Sequence, residues 1–519
     1  MALPLGFGRS LMRYSYLILF ALLLGLPFGI RWATVREESR GQLTAGAARL
    51  VVVTPHTGDI RREFSLAFDQ WHRKTYGTSV LIDYRVPGGT TDMVKLLADK
   101  HAAGVSADFD VIWGGGDYTF YHDLQPKGIL QPIHLSPSIL REAFPNDSLA
   151  GVRLYDSTTG PDGKPAPRWI GTCLSSFGIV YNPELYTALN MPPPTAWQDL
   201  ADPRLVGLVA LADPAHSGSA AVAYMMVIQR AMADAEEELF SRDPQLKALP
   251  RAELRKRSDY QVSIAQGWRR GMGQLLLIAA NARYFTDSSP IVPNDVGSGE
   301  AAAGMAIDFY ARVTEGTVGR KRARFVAPRA ATAITPDPVA IAYGVSGERL
   351  VLATHFIEFL LTPEAQRLWI LLPGQPGGPI ERSPRRMPIR RDIYTNQSGW
   401  ADHFNPFEEA GDFNQRGEWM ALMSDTRMIW DAGWIDSRDA LLAAYQTVLN
   451  VPDDARRRRL LAELADVPVQ MRDVEMLRIQ RAAIEQAHGD VNEFNVRQRL
   501  QWGGTFRRHY DRLAREARQ

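Results

Sequence analysis

The chain has 519 residues, of which 45% are hydrophobic and 23% are charged, a composition typical of folded globular proteins. Lysine and arginine (59) nearly balance aspartate and glutamate (58), so the formal charge is +1 and nothing indicates a nucleic-acid partner. Cys173 is the one cysteine, which excludes an intrachain disulfide and a cysteine-based zinc or iron–sulfur site.

A long apolar run lies near the N-terminus. Residues 14–30 (YSYLILFALLLGLPFGI) carry no charge, and arginines flank them on both sides. The run approaches the ~20 residues that span a bilayer and exceeds the apolar part of a cleaved signal peptide. We therefore predict a transmembrane signal anchor at 14–30, a cytoplasmic N-terminus at 1–13 and a polar linker at 31–48. A cleaved signal peptide is the alternative, and the flanking arginines leave the orientation open by charge count alone.

From residue 49 onward a strand–loop–helix pattern recurs. Strands are predicted at 49–53 (RLVVV), 79–84 (SVLIDY) and 109–113 (FDVIW), and helices at 59–74 and 91–100. Strands that alternate with helices imply βαβ units and a mainly parallel sheet, whose ligands lie beyond the carboxyl ends of the strands. Each strand here ends in a loop rich in Gly, Thr or polar residues. These loops are candidates for the floor of a crevice, although tight turns also account for the glycines.

A second region of the same kind follows a Gly/Pro-rich connector. Residues 170–181 predict an extended segment that crosses between two lobes. The strand predicted at 205–211 (LVGLVAL) leads through Ser217-Gly218-Ser219 into a long helix at 220–232. Hydroxyls and free amides at a helix N-terminus suit an anion. Ser217 as a plain N-cap is the local alternative.

Later segments complete the pattern. A strand predicted at 304–310 (GMAIDFY) puts Asp308 and Tyr310 on one face, pointing towards a cleft. A further strand is predicted at 338–343, followed by a helix at 350–361 and a second helix that begins at Thr362-Pro363. From about residue 453 the chain is highly charged, which predicts a solvated helical extension.

Several of these motifs, in their order along the chain, resemble periplasmic solute-binding proteins of bacterial ABC importers. The branch in question includes ferric-iron, phosphonate, sugar-phosphate, polyamine and thiamine binders. The resemblance covers roughly residues 49–395. The segments that carry it are LVVVTPH, FDVIWGGGD, SFGIVYNPEL, WQDLADPRLVGLVALADPAHSGS, VGSGEAAAGMAIDF and FIEFLLTPEAQ.

The resemblance implies an α/β protein with the type II periplasmic-binding-protein fold, in which two lobes with mainly parallel sheets are joined by a two-strand hinge. Lobe one is then expected at 49–165 and 330–395, and lobe two at 170–328. Residues 396–519 are expected to form a mostly helical C-terminal extension. The resemblance also implies that the lobes close over a small ligand and that the closed form docks on an ABC permease in the cytoplasmic membrane.

The family pattern, carried over residue by residue, gives a set of ligand-binding candidates at the loop ends. Their hydroxyls and glycine amides suit a compact oxyanion such as a phosphate- or phosphonate-bearing ligand. The candidates are His56, Thr57, Gly89, Thr90, Gly116, Asp117, Ser217, Gly218, Ser219, Glu300, Asp308 and Tyr310.

Ferric iron is the second ligand considered. The ferric members of the family carry two adjacent tyrosines where this chain has Phe309-Tyr310, which places iron below the anion. His56, Asp308 and Tyr310 are the candidate metal ligands. The iron would be the transported ligand, and no resident cofactor is expected. His56 as an ordinary turn histidine is equally compatible with the sequence.

Two other function classes compete with an importer component. The sequence has no Walker A motif, no His-Glu-x-x-His and no Gly-x-Ser-x-Gly, so we expect no enzyme, although a cleft hydrolase acting on a phosphoester is an alternative. A membrane-anchored ligand sensor is the other alternative. The expected protein is a monomer that acts on the periplasmic side of the cytoplasmic membrane.

Overall fold

The computed structural model describes residue 20 and residues 47–105, 108–409, 413 and 415–519. Apart from Phe20, the predicted transmembrane anchor at 14–30 lies outside the described residues. Within the described ranges, no helix is both long enough and apolar enough to cross a membrane.

The chain divides into two compact units. The smaller unit contains Asp69–Leu81 together with the chain up to Arg49, and the larger unit contains Leu50–Phe68 and Ile82–Gln519. The cavity and the C-terminal helical packing described below are features of the larger unit.

The described strands are short except for two long ones in the middle of the chain. They are β1 (Ala48–Val53), β2 (Val80–Arg85), β3 (Val111–Trp113), β4 (Leu130–Gln131), β5 (Ser148–Leu149), β6 (Val152–Arg153), β7 (Ile170–Tyr181), β8 (Val209–Ala212), β9 (Ala282–Thr286), β10 (Ala303–Ile307), β11 (Arg324–Val326), β12 (Ile334–Ala342) and β13 (Met387–Pro388).

Helices alternate with these strands as far as residue 368 and then dominate the C-terminal region. They are α1 (Gly58–Tyr76), α2 (Thr90–Ala102), α3 (Pro137–Ala143), α4 (Pro183–Ala188), α5 (Gly218–Arg242), α6 (Arg251–Leu254), α7 (Ser258–Ala280), α8 (Ile291–Ser298), α9 (Asp308–Val318), α10 (Gly347–Leu360), α11 (Pro363–Leu368), α12 (Pro406–Glu409), α13 (Gly417–Met420), α14 (Met423–Trp430), α15 (Arg438–Leu449), α16 (Asp454–Ala465), α17 (Met471–Gln486) and α18 (Val491–Arg518).

One mixed sheet contains most of the strands, in the order β2-β1-β3-β12-β7-β10-β8-β9. β1 and β3 run parallel, and β8 runs parallel to both β10 and β9. We call β2, β1 and β3 the first strand group, and β10, β8 and β9 the second strand group. The α/β architecture and the helical C-terminal region predicted from the sequence are confirmed.

The two long strands β7 and β12 lie between these groups and run antiparallel to their neighbours. The first part of β7 pairs with β12, up to Ser176 opposite Ile334. From Phe177 to Tyr181, β7 pairs instead with β10. All twelve residues of β7 are buried, which explains why small and apolar residues run through it without a polar face. β7 therefore takes part in both halves of the sheet.

The strand predicted at 304–310 is wrong in its second half. β10 ends at Ile307, and Asp308 begins helix α9. The Asp308 carboxylate accepts hydrogen bonds from the backbone N–H (3.0 Å) and the hydroxyl (3.1 Å) of Ser176 on β7. A carboxylate also stabilises the first turn of a helix. Asp308 and Tyr310 are therefore helical neighbours and do not share one face of a strand.

The C-terminal region is not the solvated extension that its charge predicted. Leu460 and Leu464 of α16 are fully buried, as are Trp430 and Tyr510. They belong to the same hydrophobic core as residues of α5 and α7. Gly273 of α7 lies so close to the end of α16 that a Cβ atom there would overlap the Ala465 carbonyl group. The charged residues cover the outer faces of helices whose inner faces pack onto the rest of the larger unit.

Candidate ligand-binding site

A cavity of about 440 Å³ lies where the carboxyl ends of both strand groups meet. The loops that follow β1, β2 and β3 line it on one side, and those that follow β8, β9 and β10 line it on the other. This is the position that parallel α/β sheets use for ligands, and the volume is within the range of small-molecule sites. The candidates predicted from the sequence that line this cavity are His56, Thr57, Gly89, Thr90, Gly116, Asp117, Ser217, Gly218, Ser219 and Tyr310.

Two glycines allow the loops of the two strand groups to touch across the cavity. A Cβ atom on Gly89, after β2, would lie 2.9 Å from the backbone oxygen of His216, after β8. A Cβ atom on Gly218 would lie 3.2 Å from Cβ of Thr90. Neither glycine has a positive φ, so the requirement for glycine here is steric contact and not backbone conformation.

Three serine hydroxyls form a cluster at the N-terminus of α5. Ser219 Oγ lies 2.7 Å from Ser289 Oγ and 3.3 Å from Ser217 Oγ, and Ser217 is also hydrogen-bonded to Ser289. The Ser217 hydroxyl accepts a hydrogen bond from the backbone N–H of Ala220 (3.2 Å). Ser217 is thus the N-cap of α5, which was the alternative interpretation of this residue in the sequence. It lines the cavity as well. Hydroxyls beside a helix N-terminus are suited to an anionic oxygen.

Asp337 links the loop after β3 to a buried arginine. Its Oδ1 accepts hydrogen bonds from the backbone N–H groups of Gly115 (2.7 Å) and Gly116 (2.9 Å). Its Oδ2 accepts a hydrogen bond from Arg386 Nη1 (2.5 Å), and Arg386 Nη2 donates to the Ser175 hydroxyl (2.8 Å). The amide of Gly116 is therefore already bonded to the protein, which corrects the expectation that it is free for a ligand.

The same arginine is enclosed by aromatic rings. The Arg386 guanidinium carbon lies 4.2 Å from the centre of the Phe309 ring and 5.6 Å from that of Trp369. Stacking, the ion pair and the bond to Ser175 together fix the guanidinium at the cavity wall. Its charge is balanced by Asp337.

Burial decides the ionisation of the groups around the cavity. It lowers the pKa of His56 to about 3, so the imidazole is neutral at pH 7. Burial also raises the pKa of Asp117 to about 7 and that of Tyr310 to about 12. For Asp337, burial opposes ionisation, but the charge of Arg386 outweighs it and holds the carboxyl pKa below its usual range.

Two of the predicted site residues do not line this cavity. Glu300 precedes β10 and therefore lies at the amino end of that strand, away from the cavity at its carboxyl end. It is exposed and pairs with Arg283 at 2.8 Å. Asp308 is buried, and its carboxylate is bonded to Ser176. The cavity therefore lacks these two carboxylates.

The metal set predicted at His56, Asp308 and Tyr310 is not assembled. Asp308 faces Ser176 and not the cavity, so the three side chains do not converge there. Across the described part of the chain, no group of three or more His, Cys, Asp or Glu side chains is arranged to hold a metal ion.

Sequence reasoning missed several residues that line the cavity. Asp337 and Arg386 were passed over, and Ser289 follows β9, a strand that was not predicted. The signal for Ser289 was present, because Arg283–Thr286 (RYFT) followed by Asp-Ser-Ser-Pro repeats the strand–loop pattern found elsewhere. Met423 and Arg427 of α14 also line the cavity, although no motif marked them.

A cavity at the strand ends of an α/β sheet, with hydroxyl and charged groups in its wall, has the form of a small-molecule site. Comparison with known proteins agrees with this class. Residues 117–371 match the family described as bacterial extracellular solute-binding protein. The match covers just under half of the chain, and it confirms the resemblance predicted from the motifs. The family's proteins bind solutes and are not enzymes, and they act outside the cytoplasm.

The chain is also similar to proteins of known name or structure. The chain is 24% identical to the "Phosphoglycerate transport regulatory protein PgtC" of Salmonella typhimurium over 238 residues, 45% of this chain and 49% of the relative. The chain thus spans about half the length of the curated relatives it matches. Among solved structures, the periplasmic binding protein AfuA from Actinobacillus pleuropneumoniae is 16% identical (TM-score 0.49), with 74% of this chain and 98% of that chain covered. Iron-bound HitA from Pseudomonas aeruginosa is 16% identical (TM-score 0.44), with 73% and 99% covered.

Proposed function

We propose that this protein is the solute-binding component of an ABC importer, which captures a small ligand between two lobes and delivers it to a membrane permease. The observation that carries the proposal is the position of the cavity. It lies at the carboxyl ends of both strand groups, and loops from the two groups meet across it at Gly89 and Gly218. In this proposal residues 49–165 and 330–395 form lobe one, and residues 170–328 form lobe two.

The pairing of the two long strands supports a hinge between these lobes. β7 exchanges its partner β12 for β10 between Ser176 and Phe177, so the chain passes from one half of the sheet to the other at that point. β12 pairs with β3 on its other side. Small changes in backbone angle along β7 and β12 would open the cavity, and a ligand that contacts both sides would favour the closed form.

The ligand in this proposal is a small anion that bears a phosphate or phosphonate group. The serine hydroxyl cluster, the N-terminus of α5 and two arginines, Arg386 and Arg427, are all part of the cavity wall. The name of the Salmonella relative refers to phosphoglycerate, an anion of this kind. Iron is disfavoured because Asp308 is turned away from the cavity and His56 and Tyr310 are left without a carboxylate partner from the predicted set.

The remaining parts of the proposal concern location. The protein would act on the periplasmic side of the cytoplasmic membrane, held by the anchor predicted at 14–30 or released after its cleavage. Its partner would be an ABC permease, and it would work as a monomer.

Native mass spectrometry of the gently purified full chain tests the ligand class directly. We expect a co-purified mass that matches a phosphorylated anion. Titration calorimetry with 3-phosphoglycerate, inorganic phosphate, spermidine and ferric citrate then compares the classes. Binding of spermidine or ferric citrate with no binding of either phosphorylated probe would overturn the anion proposal.

A ligand sensor is the second candidate, and one finding favours it: the Salmonella relative is named a transport regulatory protein. Cross-linking in membranes separates the two functions. An importer component would be recovered with a permease, whereas a sensor would be recovered with a signalling protein.

A further inference from the structure

Helix α14 extends the wall of the cavity from outside the family segment. The family match ends at residue 371, whereas Met423 and Arg427 line the same cavity as the serine cluster. No loop of the two strand groups supplies these side chains. The C-terminal region thus contributes directly to the candidate site.

The packing of α14 fixes the place of Arg427. Asp425 is buried and accepts hydrogen bonds from Arg478 Nε (3.1 Å) and Arg481 Nη1 (2.5 Å) of α17. At the end of the helix, the Trp430 ring lies 5.4 Å from that of Tyr224 on α5, centre to centre. Ion pairs on one side and aromatic packing on the other hold α14 against the core, so Arg427 is held at the cavity wall.

Charge balance distinguishes Arg427 from the other arginine of the cavity. Arg386 is matched by Asp337 at 2.5 Å. Arg427 has no carboxylate within 4 Å among the described residues, and its Nε is buried without a hydrogen-bond partner there. Burial lowers the pKa of Arg427, which reflects the cost of keeping this cation from water, and Asp123 offsets part of that cost at longer range. An arginine stays charged under these conditions.

The carboxylates that line the cavity do not provide this balance. Asp92 accepts a hydrogen bond from the Gly89 N–H at 3.1 Å and so caps α2. Asp287 is exposed at the rim, and Asp337 is matched by Arg386. Burial raises the pKa of Asp117 to about 7, which weakens its negative charge near neutral pH. The Arg427 guanidinium therefore lines the cavity with no carboxylate bonded to it, and Asp123 and Asp431 act on its charge only at longer range.

We propose that α14 is part of the ligand site and that Arg427 is the counter-charge for the negatively charged group of the ligand. This inference rests on the proposed solute-binding function and specifies it. A planar guanidinium donates two parallel hydrogen bonds to a phosphate or carboxylate, which makes it a selective anion contact. The segment without a family match then determines which solutes are bound.

The test uses the full chain and three variants. Arg427→Gln removes the charge, and Arg427→Lys keeps it without the bidentate geometry. Arg458→Gln is the matched control, because Arg458 is an exposed arginine of the same region that pairs with Asp454. Titration calorimetry with 3-phosphoglycerate and inorganic phosphate gives the affinities. Far-UV circular dichroism confirms that each variant is folded.

We expect Arg427→Gln to weaken binding of the phosphorylated probe by roughly tenfold or more, the effect of losing a charged hydrogen bond. Arg427→Lys should lose less, and Arg458→Gln should bind like the wild type. Hydrogen exchange of the wild type should slow in Met423–Trp430 when the probe binds, and this measurement decides the matter if Arg427→Gln does not fold. Unchanged affinity in Arg427→Gln, or unchanged exchange in α14, overturns the inference while the proposed function stands. A wild type that binds spermidine or ferric citrate and neither phosphorylated probe overturns both the inference and the proposed anionic ligand.

Discussion

The ion pair between Asp337 and Arg386 gives the sharpest prediction about how the site is held together. Asp337→Asn keeps the shape of the side chain, and the amide oxygen still accepts hydrogen bonds from the backbone N–H groups of Gly115 and Gly116. Arg386, however, loses its counter-charge while its side chain is only 2% exposed. Removing one partner of a buried ion pair costs about 3–5 kcal/mol of folding free energy. We expect a loss of that size in Asp337→Asn.

Urea unfolding of the full chain, followed by circular dichroism, measures this loss. A double variant, Asp337→Asn with Arg386→Met, buries no unpaired cation. It therefore shows how much of the lost stability comes from leaving Arg386 charged without a partner and how much comes from the lost hydrogen bonds. The double variant should be more stable than the sum of the two single variants predicts. Asp454→Asn, which breaks an exposed pair, should unfold like the wild type.

Two results would refute this reasoning about the buried pair. One is an Asp337→Asn variant as stable as the wild type, which would mean that water or a ligand group neutralises Arg386. The other is strict additivity in the double variant, which would mean that the two side chains do not act as a pair.

Three further predictions concern the cavity. Affinity for 3-phosphoglycerate should fall as pH rises through about 7, because burial keeps Asp117 protonated below that pH and the carboxylate formed above it repels an anion; Asp117→Asn should remove this pH dependence in calorimetry, and a wild-type curve that is flat would contradict it. Gly89→Val should weaken binding by roughly tenfold, the effect of 1–3 kcal/mol of overpacking against the His216 backbone, with the thermal stability of the unliganded protein unchanged; equal affinity would show that the loops need not touch. Glu300→Gln should bind 3-phosphoglycerate with wild-type affinity, because Glu300 lies at the amino end of β10, away from the cavity. A marked loss of affinity would show that Glu300 is part of the site.

The loops that follow the strands could be predicted from the sequence as parts of the site. In a parallel sheet, the position of such a loop depends on the strand directly before it and not on residues far away in the sequence. Wherever a buried strand ends in a polar, glycine-rich loop, the carboxyl end of that strand points to the crevice. This rule brought His56, Gly89, Asp117 and Ser217 to one cavity. The same rule explains the error at Glu300, which was chosen from the loop before a strand and not after it.

The partners of those loops could not be predicted, because they come from distant parts of the chain. Asp337 is 222 residues from Gly115 and 221 from Gly116, and no sequence pattern in either segment predicts the hydrogen bonds between them. Asp308 shows the same limit. The alternation in residues 304–310 fits a strand, yet a bond to Ser176, 132 residues away, holds Asp308 in the first turn of a helix.

The prediction of a solvated C-terminal extension was wrong for a different reason. Its charged residues dominate the composition, but its apolar residues have helical spacing: Leu460 and Leu464 are four residues apart, as are Trp430 and Trp434, whose rings lie 6.1 Å apart. Four-residue spacing on several short helices predicts a packed bundle more than a solvated extension. The high arginine content of α16 favoured a solvated helix in the prediction, although Leu460 and Leu464 form a fully buried face of it.

The involvement of α14 in the cavity has a thermodynamic consequence. Ligand binding and the docking of the C-terminal helices must be linked if Arg427 holds the anion, because each then depends on the same placement of α14. If the contacts of Asp425 with Arg478 and Arg481 make ligand binding more favourable, a bound anion must stabilise those contacts by the same free energy. The linkage is reciprocal, so any change that loosens α14 from α17 lowers ligand affinity, even though neither Arg478 nor Arg481 lines the cavity. A solute-binding site completed in this way is sensitive to residues that its family segment does not contain.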